Sequence, residues 1–314
     1  MENNRMAKRK KKRKRSRILV TLLFLFLIIS GYVLYEYWAG IRSADSDGPI
    51  SGEENFDDFK GVASPEGKTN VLLLGVDRRG NETSTRSDTI MIAQYDAEND
   101  QMKLLSLMRD TYVNIPGVGY SKLNAAFAYG GPELMRQTIK ENFGVNLEYY
   151  SVVDFDGFSN IVNTLAPNGV EIEVEKDMYY KDSAGTIDLE QGTQTLNGDE
   201  LLGYARFRHD ARGDYARVER QQKVIKALKE EAMSINGLTK LPRLVGTIQP
   251  YIETNMGKMT IASFGKDFIL NTPGSIETKS IPADIEHWDG RVNGAAVIMH
   301  NEEVTKQAVQ EFLE

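Results

Sequence analysis

The sequence contains no cysteine and only three histidines, His209, His287 and His300, among its 314 residues. The absence of cysteine excludes disulfides, thiolate nucleophiles and Cys–zinc sites. None of the histidines has the HExxH or similar spacing of paired metal ligands, which argues against a transition-metal site. This composition still permits a site for a hard cation built from carboxylate oxygens.

Positive charge is scarce everywhere except at the amino terminus. The chain has a formal net charge of −7, yet residues 1–17 contain ten Lys/Arg residues and a single acid. The remaining residues contain 28 basic and 44 acidic side chains. A basic segment of this length on an acidic body argues against nucleic acid as the partner.

The apolar segment "ILVTLLFLFLIISGYVLYEYW", residues 18–38, follows the basic tail directly. It runs without charge to Tyr35, about eighteen residues, which nearly spans a bilayer core of roughly 30 Å. Three tyrosines and Trp38 lie at its far end, as in an interfacial aromatic belt. A cleaved signal peptide and a nucleic-acid-binding basic arm are the alternatives, and "YEYWAG" is a poor cleavage site. We predict an uncleaved single-pass anchor in the cell membrane, with residues 1–17 cytoplasmic and the body extracytoplasmic.

The rest of the chain divides by composition. Residues 39–69 are polar and acidic and predict a flexible extracytoplasmic tether. A globular domain is predicted from Asn70, with 70–238 as its main part and 239–314 packed on it or continuing it. Apolar patterning predicts strands over 70–77, 89–96, 101–108, 169–180 and 203–210, helices over 130–144 and 214–233, and a strand followed by a helix over 149–165. Strands and helices that interleave without a repeat predict a layered α/β domain.

Two carboxylates lie at the ends of neighbouring predicted strands. Asp77 ends the first strand, and Asp88 precedes the second, so both can lie at one edge of a sheet. Two carboxylates brought together repel unless cations or protons neutralise them. The loop between them contains Arg86 and two further arginines, which leaves two interpretations open. The acids form ion pairs with these arginines, or they hold a Mg²⁺-type ion beside a bound anion.

A second polar strand end follows the predicted strand 101–108. Arg109 and Asp110 come directly after it, and Lys122 opens the next segment. An isolated Arg–Asp pair is usually structural. If this strand end lies beside the loop between Asp77 and Asp88, it adds further cations to the same potential site.

Outside the amino-terminal tail, the densest cluster of cations is "RFRHDARGDYARVERQQ", residues 206–222, with five arginines and three acids. On a strand, Arg206 and Arg208 would share one face. Asp214 is a plausible N-cap of the following helix, and Arg217 and Gln221 are four residues apart on it. Guanidinium forks and a helix N-terminus both suit phosphate, which predicts a phosphate or pyrophosphate site. The alternative is a helix with surface ion pairs to the three acids.

Several stretches, taken in order, resemble the LytR–CpsA–Psr family of Gram-positive cell-envelope proteins. The matching pieces are "LLLGVDRR", "TRSDTIMIA", "SLMRDTYV", "KLNAAFAYGG", "VVDFDGF", "GVEIEV" and "YARFRHDARGDYARVERQQ", which cover about residues 70–230. The sequence departs from the family pattern at Met108, where proline is usual, and at 166–169, where a paired-glycine turn is usual.

The resemblance implies an α/β/α sandwich around a mixed, largely antiparallel sheet, preceded by one transmembrane helix. It also implies transfer of an anionic glycopolymer, such as wall teichoic acid, from an undecaprenyl diphosphate carrier to peptidoglycan. Asp77 and Asp88 would hold Mg²⁺ or Mn²⁺, and apolar segments would line a tunnel for the prenyl chain. Arg109, Arg206 and Arg208 would be catalytic. The diphosphate would be bound by Arg86, Arg109, Lys122, Arg206, Arg208, Arg217 and Gln221.

Three other functions are compatible with parts of this pattern. The protein could pass the phosphate to water as a polyprenyl-diphosphate hydrolase, or bind the lipid diphosphate without turnover as an envelope regulator. A DNA-binding attenuator is the third, and the predicted topology argues against it because the body would lie outside the cell.

Overall fold

The computed structural model describes residues 24, 28, 30–42, 58–64, 67–77, 86–182, 185–210, 212–248, 251–270 and 275–314. The cytoplasmic tail predicted at 1–17 and about half of the anchor predicted at 18–38 lie outside these residues. Residues 30–42 form a helix, here α1. Among the residues described, no helix combines the length and the apolar character needed to cross a bilayer.

A six-stranded mixed sheet forms the centre of the fold. Its strands are β1 (Lys68–Val76), β2 (Ser87–Asp96), β3 (Gln101–Leu107), β6 (Tyr149–Asp154), β11 (Ile252–Thr254) and β12 (Ile276–Ile281). Their order across the sheet is β11-β6-β1-β2-β3-β12. The β6–β1 and β3–β12 pairs are parallel, and the other three pairs are antiparallel. This confirms the predicted mixed α/β fold, with antiparallel pairing in the majority.

Helices cover both faces of the sheet. In the described part of the chain, the helices after α1 are α2 (Ala125–Phe143), α3 (Phe155–Leu165), α4 (Gly198–Arg206), α5 (Asp214–Met233), α6 (Ile235–Ile248), α7 (Lys258–Leu270) and α8 (Glu302–Leu313). Side chains that alternate along β1, such as Leu72 and Leu74, are buried in one core with Phe143 of α2 and Val309 of α8. Ile225 of α5 packs on the opposite face. The sheet is therefore the middle of three layers, as strand periodicity requires of two covered faces.

Short two-stranded sheets lie outside the central sheet. They consist of β4 (Tyr112–Ile115) with β5 (Gly119–Lys122), β7 (Val170–Val174) with β10 (Gly192–Leu196), β8 (Met178–Asp182) with β9 (Gly185–Leu189), and β13 (His287–Val292) with β14 (Ala295–His300). Tyr204 of α4 and Val162 of α3 share a second core with β7–β10. Since β11 and β12 belong to the central sheet, residues 239–314 continue the same fold.

One strand prediction is wrong, and another is right only in part. Residues 203–210 are not a strand, because α4 runs to Arg206 and an extended segment follows. Asn197 and Glu200 form a capping box that starts this helix, and the buried residues recur at helical spacing. The strand predicted over 169–180 is interrupted between β7 and β8.

The structure confirms one predicted helix end and corrects two predicted helix starts. Helix α5 covers the predicted 214–233, but its N-cap is Gly213, and Asp214 is the first helical residue. Helix α2 begins before the predicted 130–144 and is broken at Gly130–Gly131. It ends at Gly144, whose left-handed φ of 77° confirms the predicted stop.

The predicted tether, 39–69, is more ordered than expected in its described parts. Residues 39–42 belong to α1. The backbone N–H of Val62 donates to the carbonyl oxygen of Leu147 at 2.8 Å, and the ring of Phe59 lies 4.8 Å from that of Tyr150. The segment 58–64 is therefore packed on the domain rather than free.

Candidate active site

A cavity of about 370 Å³ lies between the central sheet and helices α3–α5. Leu73, Met91 and Val153 form its floor, on the sheet face opposite to Leu72 and Leu74. Its walls are apolar side chains of three helices: Phe158, Ile161, Leu202, Val224 and Ile225. The interior is thus suited to a hydrocarbon chain.

Charged side chains surround one part of this cavity. Seven of the nine residues predicted for the site line it: Asp77, Asp88, Arg109, Arg206, Arg208, Arg217 and Gln221. The other two predicted residues, Arg86 and Lys122, do not line it. The cavity therefore combines an apolar interior with a polar, largely cationic region.

The two predicted carboxylates reach the cavity from adjacent strands. Asp77 directly follows β1. Asp88 is the extra residue of a β-bulge, since Ser87 pairs with Val76 and Thr89 pairs with Gly75. A bulge commonly re-aims a side chain next to a functional site. The predicted juxtaposition at one edge of the sheet is present, with Asp88 placed by the bulge.

Arg109 links three carboxylates. Its guanidinium forms an ion pair with Asp88, and its Nε lies 3.7 Å from both Asp110 Oδ2 and Asp214 Oδ1. Burial alone lowers the pKa of Arg109, but the charges of these three acids outweigh it and raise the pKa. Arg109 is consequently held charged and in place at the cavity.

Arg217 is the most buried cation of the site, with 6% of its side chain exposed. One of its terminal nitrogens lies 2.7 Å from Asp214 Oδ1 and donates to the Asp88 carbonyl oxygen at 3.3 Å. Burial lowers the pKa of Arg217, and the neighbouring cations Arg109 and Arg208 lower it further, against the opposing charge of Asp214. A dianionic ligand placed here would stabilise this crowded group of cations.

The remaining polar groups come from α4, α5 and the segment after α4. Arg206 ends α4, and its guanidinium carbon lies 4.3 Å from the ring centroid of Phe155. Arg208 is exposed in the extended segment that follows. Gln221 donates to the Thr89 hydroxyl at 2.8 Å, one helical turn after Arg217. The predicted pairing of Arg217 and Gln221 on one helix face is therefore confirmed.

The acids of 206–222 form ion pairs with Arg212, Arg217 and Arg220. Arg217 pairs with Asp214, as described above. Arg220 is 3% exposed and is held by Asp210 and Glu175. Arg212 forms an exposed two-pronged pair with Glu219 at 2.6 and 2.7 Å. The alternative interpretation, ion pairs with local acids, therefore holds for Arg212 and Arg220, which do not line the cavity.

Lys122 contacts a residue of the site through Asp110 and does not itself line the cavity. Its Nζ donates to Asp110 Oδ1 at 2.7 Å, and Asp110 in turn lies beside Arg109. Arg86 is exposed immediately before β2. Lys122 thus reaches the cavity only through Asp110.

Sequence reasoning missed two residues of the site. Asp214 was assigned to a helix cap, yet its carboxylate lies between Arg109 and Arg217. Phe155, which follows β6 directly, lines the cavity and stacks on Arg206. The repeated Asp–Phe pattern of "VVDFDGF" marked this strand end, but not its contact with Arg206.

Asp77 and Asp88 alone supply only part of the ligand set that a hard divalent ion needs. Asp77 and Asp88 offer carboxylate oxygens at one cavity, and Mg²⁺ commonly takes one or two carboxylates and completes its shell with phosphate and water. Among the described residues, no group of three or more His, Cys, Asp or Glu side chains is clustered for metal binding. A divalent ion at Asp77 and Asp88 would therefore depend on ligands supplied by a bound phosphate.

Known sequences resemble this chain over most of its length. A family model described as the LytR_cpsA_psr family matches residues 34–312. The regulatory protein MsrR of Staphylococcus aureus (strain COL) is 39% identical over 284 residues, covering 90% of this chain and 85% of MsrR. The polyisoprenyl-teichoic acid–peptidoglycan teichoic acid transferase TagT of Bacillus subtilis is 32% identical over 241 residues, covering 73% of this chain and 74% of TagT.

Solved structures share the fold. The crystal structure of B. subtilis TagV superposes with a TM-score of 0.67 at 26% identity, covering 80% of this chain and 98% of TagV. A structure described as the LytR-CPS2A-psr family protein YwtF (TagT) with bound octaprenyl pyrophosphate lipid has a TM-score of 0.59 at 26% identity. It covers 84% of this chain and 95% of that one.

Proposed function

The chain belongs to the LytR_cpsA_psr family, and on that premise we propose that it is a glycopolymer transferase of the cell envelope. It moves an anionic glycopolymer, wall teichoic acid or a similar chain, from an undecaprenyl diphosphate carrier to peptidoglycan. Two similarities support this proposal: TagT is named as a teichoic acid transferase, and a TagT structure is described with a polyprenyl pyrophosphate.

The observation that carries the proposal is the two-part cavity. Leu73, Met91 and Phe158 belong to an apolar interior, while Arg109 and Arg217 lie at the polar region. A prenyl diphosphate has the same two parts, since its tail avoids water and its headgroup attracts guanidinium groups. A nucleotide or a free sugar would leave the apolar part without a matching ligand.

The proposed reaction is phosphoryl transfer with electrostatic catalysis. The acceptor hydroxyl attacks the sugar-linked phosphorus and gives up its proton to a carboxylate beside the metal site. The bond to the bridging oxygen breaks, and undecaprenyl phosphate leaves with that oxygen. Arg109, Arg206 and Arg208 stabilise the charge that develops on the diphosphate, and Arg217 and Gln221 orient it. Asp77 and Asp88 would hold Mg²⁺ or Mn²⁺, which when bound supplies further positive charge to the phosphate oxygens.

The membrane location is part of the proposal. The apolar run at 18–38 and the basic residues at 1–17 are the support for a single-pass anchor with an extracytoplasmic domain. Such a location brings the cavity to the lipid carrier and to the wall. No nucleic acid is expected as a partner.

Reconstitution tests the reaction. The full chain in liposomes is incubated with a lipid-diphosphate-linked polymer, peptidoglycan oligomers and Mg²⁺. Polymer covalently attached to glycan is expected. Release of free polymer phosphate would instead indicate a hydrolase. Omission of the ion with EDTA tests the metal, and unchanged turnover would exclude its role.

Matched arginine variants test the site. Arg206→Ala and Arg208→Ala are each expected to slow transfer by about 10²–10³, by analogy with loss of one oxyanion-hole donor. Arg212→Ala removes an arginine of the same stretch that pairs with Glu219 on the surface, and it should leave transfer unchanged. Equal rates for all three variants would show that the cavity is not the site.

A regulatory role is the second candidate. MsrR is named a regulatory protein, and its identity to this chain is 39%, against 32% for TagT. Saturable binding of a prenyl diphosphate without turnover, in the presence of acceptor and metal, would favour this candidate over the transferase.

A further inference from the structure

Helix α1 packs against α6 at a close crossing. A Cβ atom at Gly40 would overlap the carbonyl oxygen of Arg243, and a Cβ at Gly246 would overlap that of Tyr37. Each helix therefore needs a glycine where it meets the other. Such an approach of two backbones is characteristic of a specific helix–helix contact, rather than of a loose tether.

A charged pair lies beside this crossing. Glu36 Oε2 is 2.8 Å from Arg243 Nε, and only 7% of the Glu36 side chain is exposed. A buried carboxylate persists in a folded protein when a cation pairs with it, and its loss leaves the partner charge uncompensated. Glu36 is also the first charge after the apolar run of residues 18–35. The pair fixes the rotation of α1 about its axis.

The opposite side of α1 is apolar and aromatic. Leu34, Tyr35 and Trp38 are 59%, 66% and 58% exposed. Soluble surfaces seldom expose such a cluster, whereas Tyr and Trp favour the interface between bilayer and water. The uncharged residues that precede this cluster in the sequence suit the hydrocarbon core. The occupant that fits this face is therefore a lipid bilayer.

Helix α6 connects α1 to the wall of the cavity. It packs on α3, and α3 places Phe155 and Phe158 in the cavity lining. A chain of three packed helices therefore runs from the aromatic face of α1 to the cavity.

We infer that α1 is an interfacial strut: its inner side docks on α6 through Glu36–Arg243 and the Gly40–Gly246 crossing, and its outer side lies in the bilayer interface. The strut holds the cavity in one orientation relative to the membrane. The inference rests on the proposed anchor and not on the transferase reaction, so its tests use no turnover.

Thiol labelling tests the docked side. Thr247 is 3% exposed, and its hydroxyl lies 3.5 Å from the carbonyl oxygen of Gly40, so α1 shields it. The sequence contains no cysteine, so Thr247→Cys supplies the sole thiol. In the full chain in liposomes, this thiol should label slowly with a maleimide. Adding Glu36→Arg should accelerate labelling about tenfold or more, because the docked state opens.

Charge reversal supplies the rescue and the control. Arg243→Glu together with Glu36→Arg restores opposite charges and should restore slow labelling. Gly246→Leu should accelerate labelling without a change of charge. Tyr179→Cys, at a site 68% exposed, should label fast in every background. Fast labelling of Thr247→Cys in the otherwise unaltered chain would overturn the docking, and so would no response to Glu36→Arg. Failure of the double reversal would show that the pair does not hold α1.

Tryptophan fluorescence tests the outer side. The chain has two tryptophans, and Trp288→Phe leaves Trp38 as the sole reporter. In liposomes with brominated acyl chains, Trp38 should be quenched, more strongly by bromine near the headgroup than by bromine near the bilayer centre. Trp38→Phe leaves Trp288, which is exposed on β13, and this reporter should show little quenching. Equal quenching of the two reporters would overturn the interfacial position of α1.

Discussion

Asp214→Asn removes one charge from the centre of the site while it preserves the size of the side chain. The Asp214 carboxylate lies 2.7 Å from Arg217 and 3.7 Å from Arg109, and 16% of its side chain is exposed. Removing one partner of a buried ion pair typically costs about 3–5 kcal/mol. Because Asp88 still pairs with Arg109 and its carbonyl still accepts from Arg217, we expect the lower end, about 3 kcal/mol.

Thermal unfolding of the detergent-solubilised chain measures this loss. For a domain of 150–250 residues, 1 kcal/mol corresponds to about 2–4 °C, so Tm should fall by about 6–12 °C. Asp188→Asn is the matched control, since Asp188 is exposed on β9. That change should stay within about 0.5 kcal/mol. If the Tm of Asp214→Asn equals that of Asp188→Asn, the argument is refuted.

Inorganic diphosphate distinguishes a site effect from a general loss of packing. A ligand that binds only the folded protein raises Tm according to its affinity. In the Asp214→Asn variant, Arg109 and Arg217 lose a shared counter-charge and should attract a polyanion more strongly. Diphosphate should therefore raise the Tm of the variant more than that of the unaltered chain. An equal or smaller rise would contradict the proposed balance of charges.

Three further changes test ion pairs and a backbone conformation elsewhere in the fold. Arg220→Met should cost about 3–5 kcal/mol because Asp210 loses its buried partner, whereas Arg212→Met should cost less than about 1 kcal/mol; urea unfolding compares them. Burial raises the pKa of Glu133, but hydrogen bonds from Arg136 and other donors outweigh it and lower the pKa to about 2. Glu133→Gln should therefore lower the urea midpoint at pH 7, and the difference should shrink as the pH falls from about 4.5 towards 2. Gly144→Ala should cost about 1 kcal/mol in the same assay, because its φ is 77°.

Strand ends and helices that depend on a local pattern of residues could be predicted from the sequence. The strand ends at Asp77 and Arg109 and the helix 214–233 follow from apolar runs and helical spacing over a few residues. At 203–210, "YARFRHD" alone has the pattern of a strand, but the residues before it determine a helix. Asn197 starts a capping box, and the buried residues that follow recur at helical spacing.

The roles of the individual arginines were harder to predict, because they depend on partners far away in the sequence. Arg220 reaches Glu175, 45 residues away, and Arg217 reaches the carbonyl of Asp88, 129 residues away. Five similar side chains in one stretch therefore divide into cavity-lining and structural groups according to the position of α5 on the sheet.

The sequence by itself determined the residue types of the site, since paired carboxylates, clustered guanidinium groups and the missing cysteines limit which chemistry is possible. It also determined the family, through an ordered set of short motifs. Only the tertiary structure decided that Asp214 joins Arg109 to Arg217, that a bulge aims Asp88, and that α1 docks on α6. These contacts join distant segments, and their geometry depends on how strands and helices pack, which the local pattern of residues does not specify.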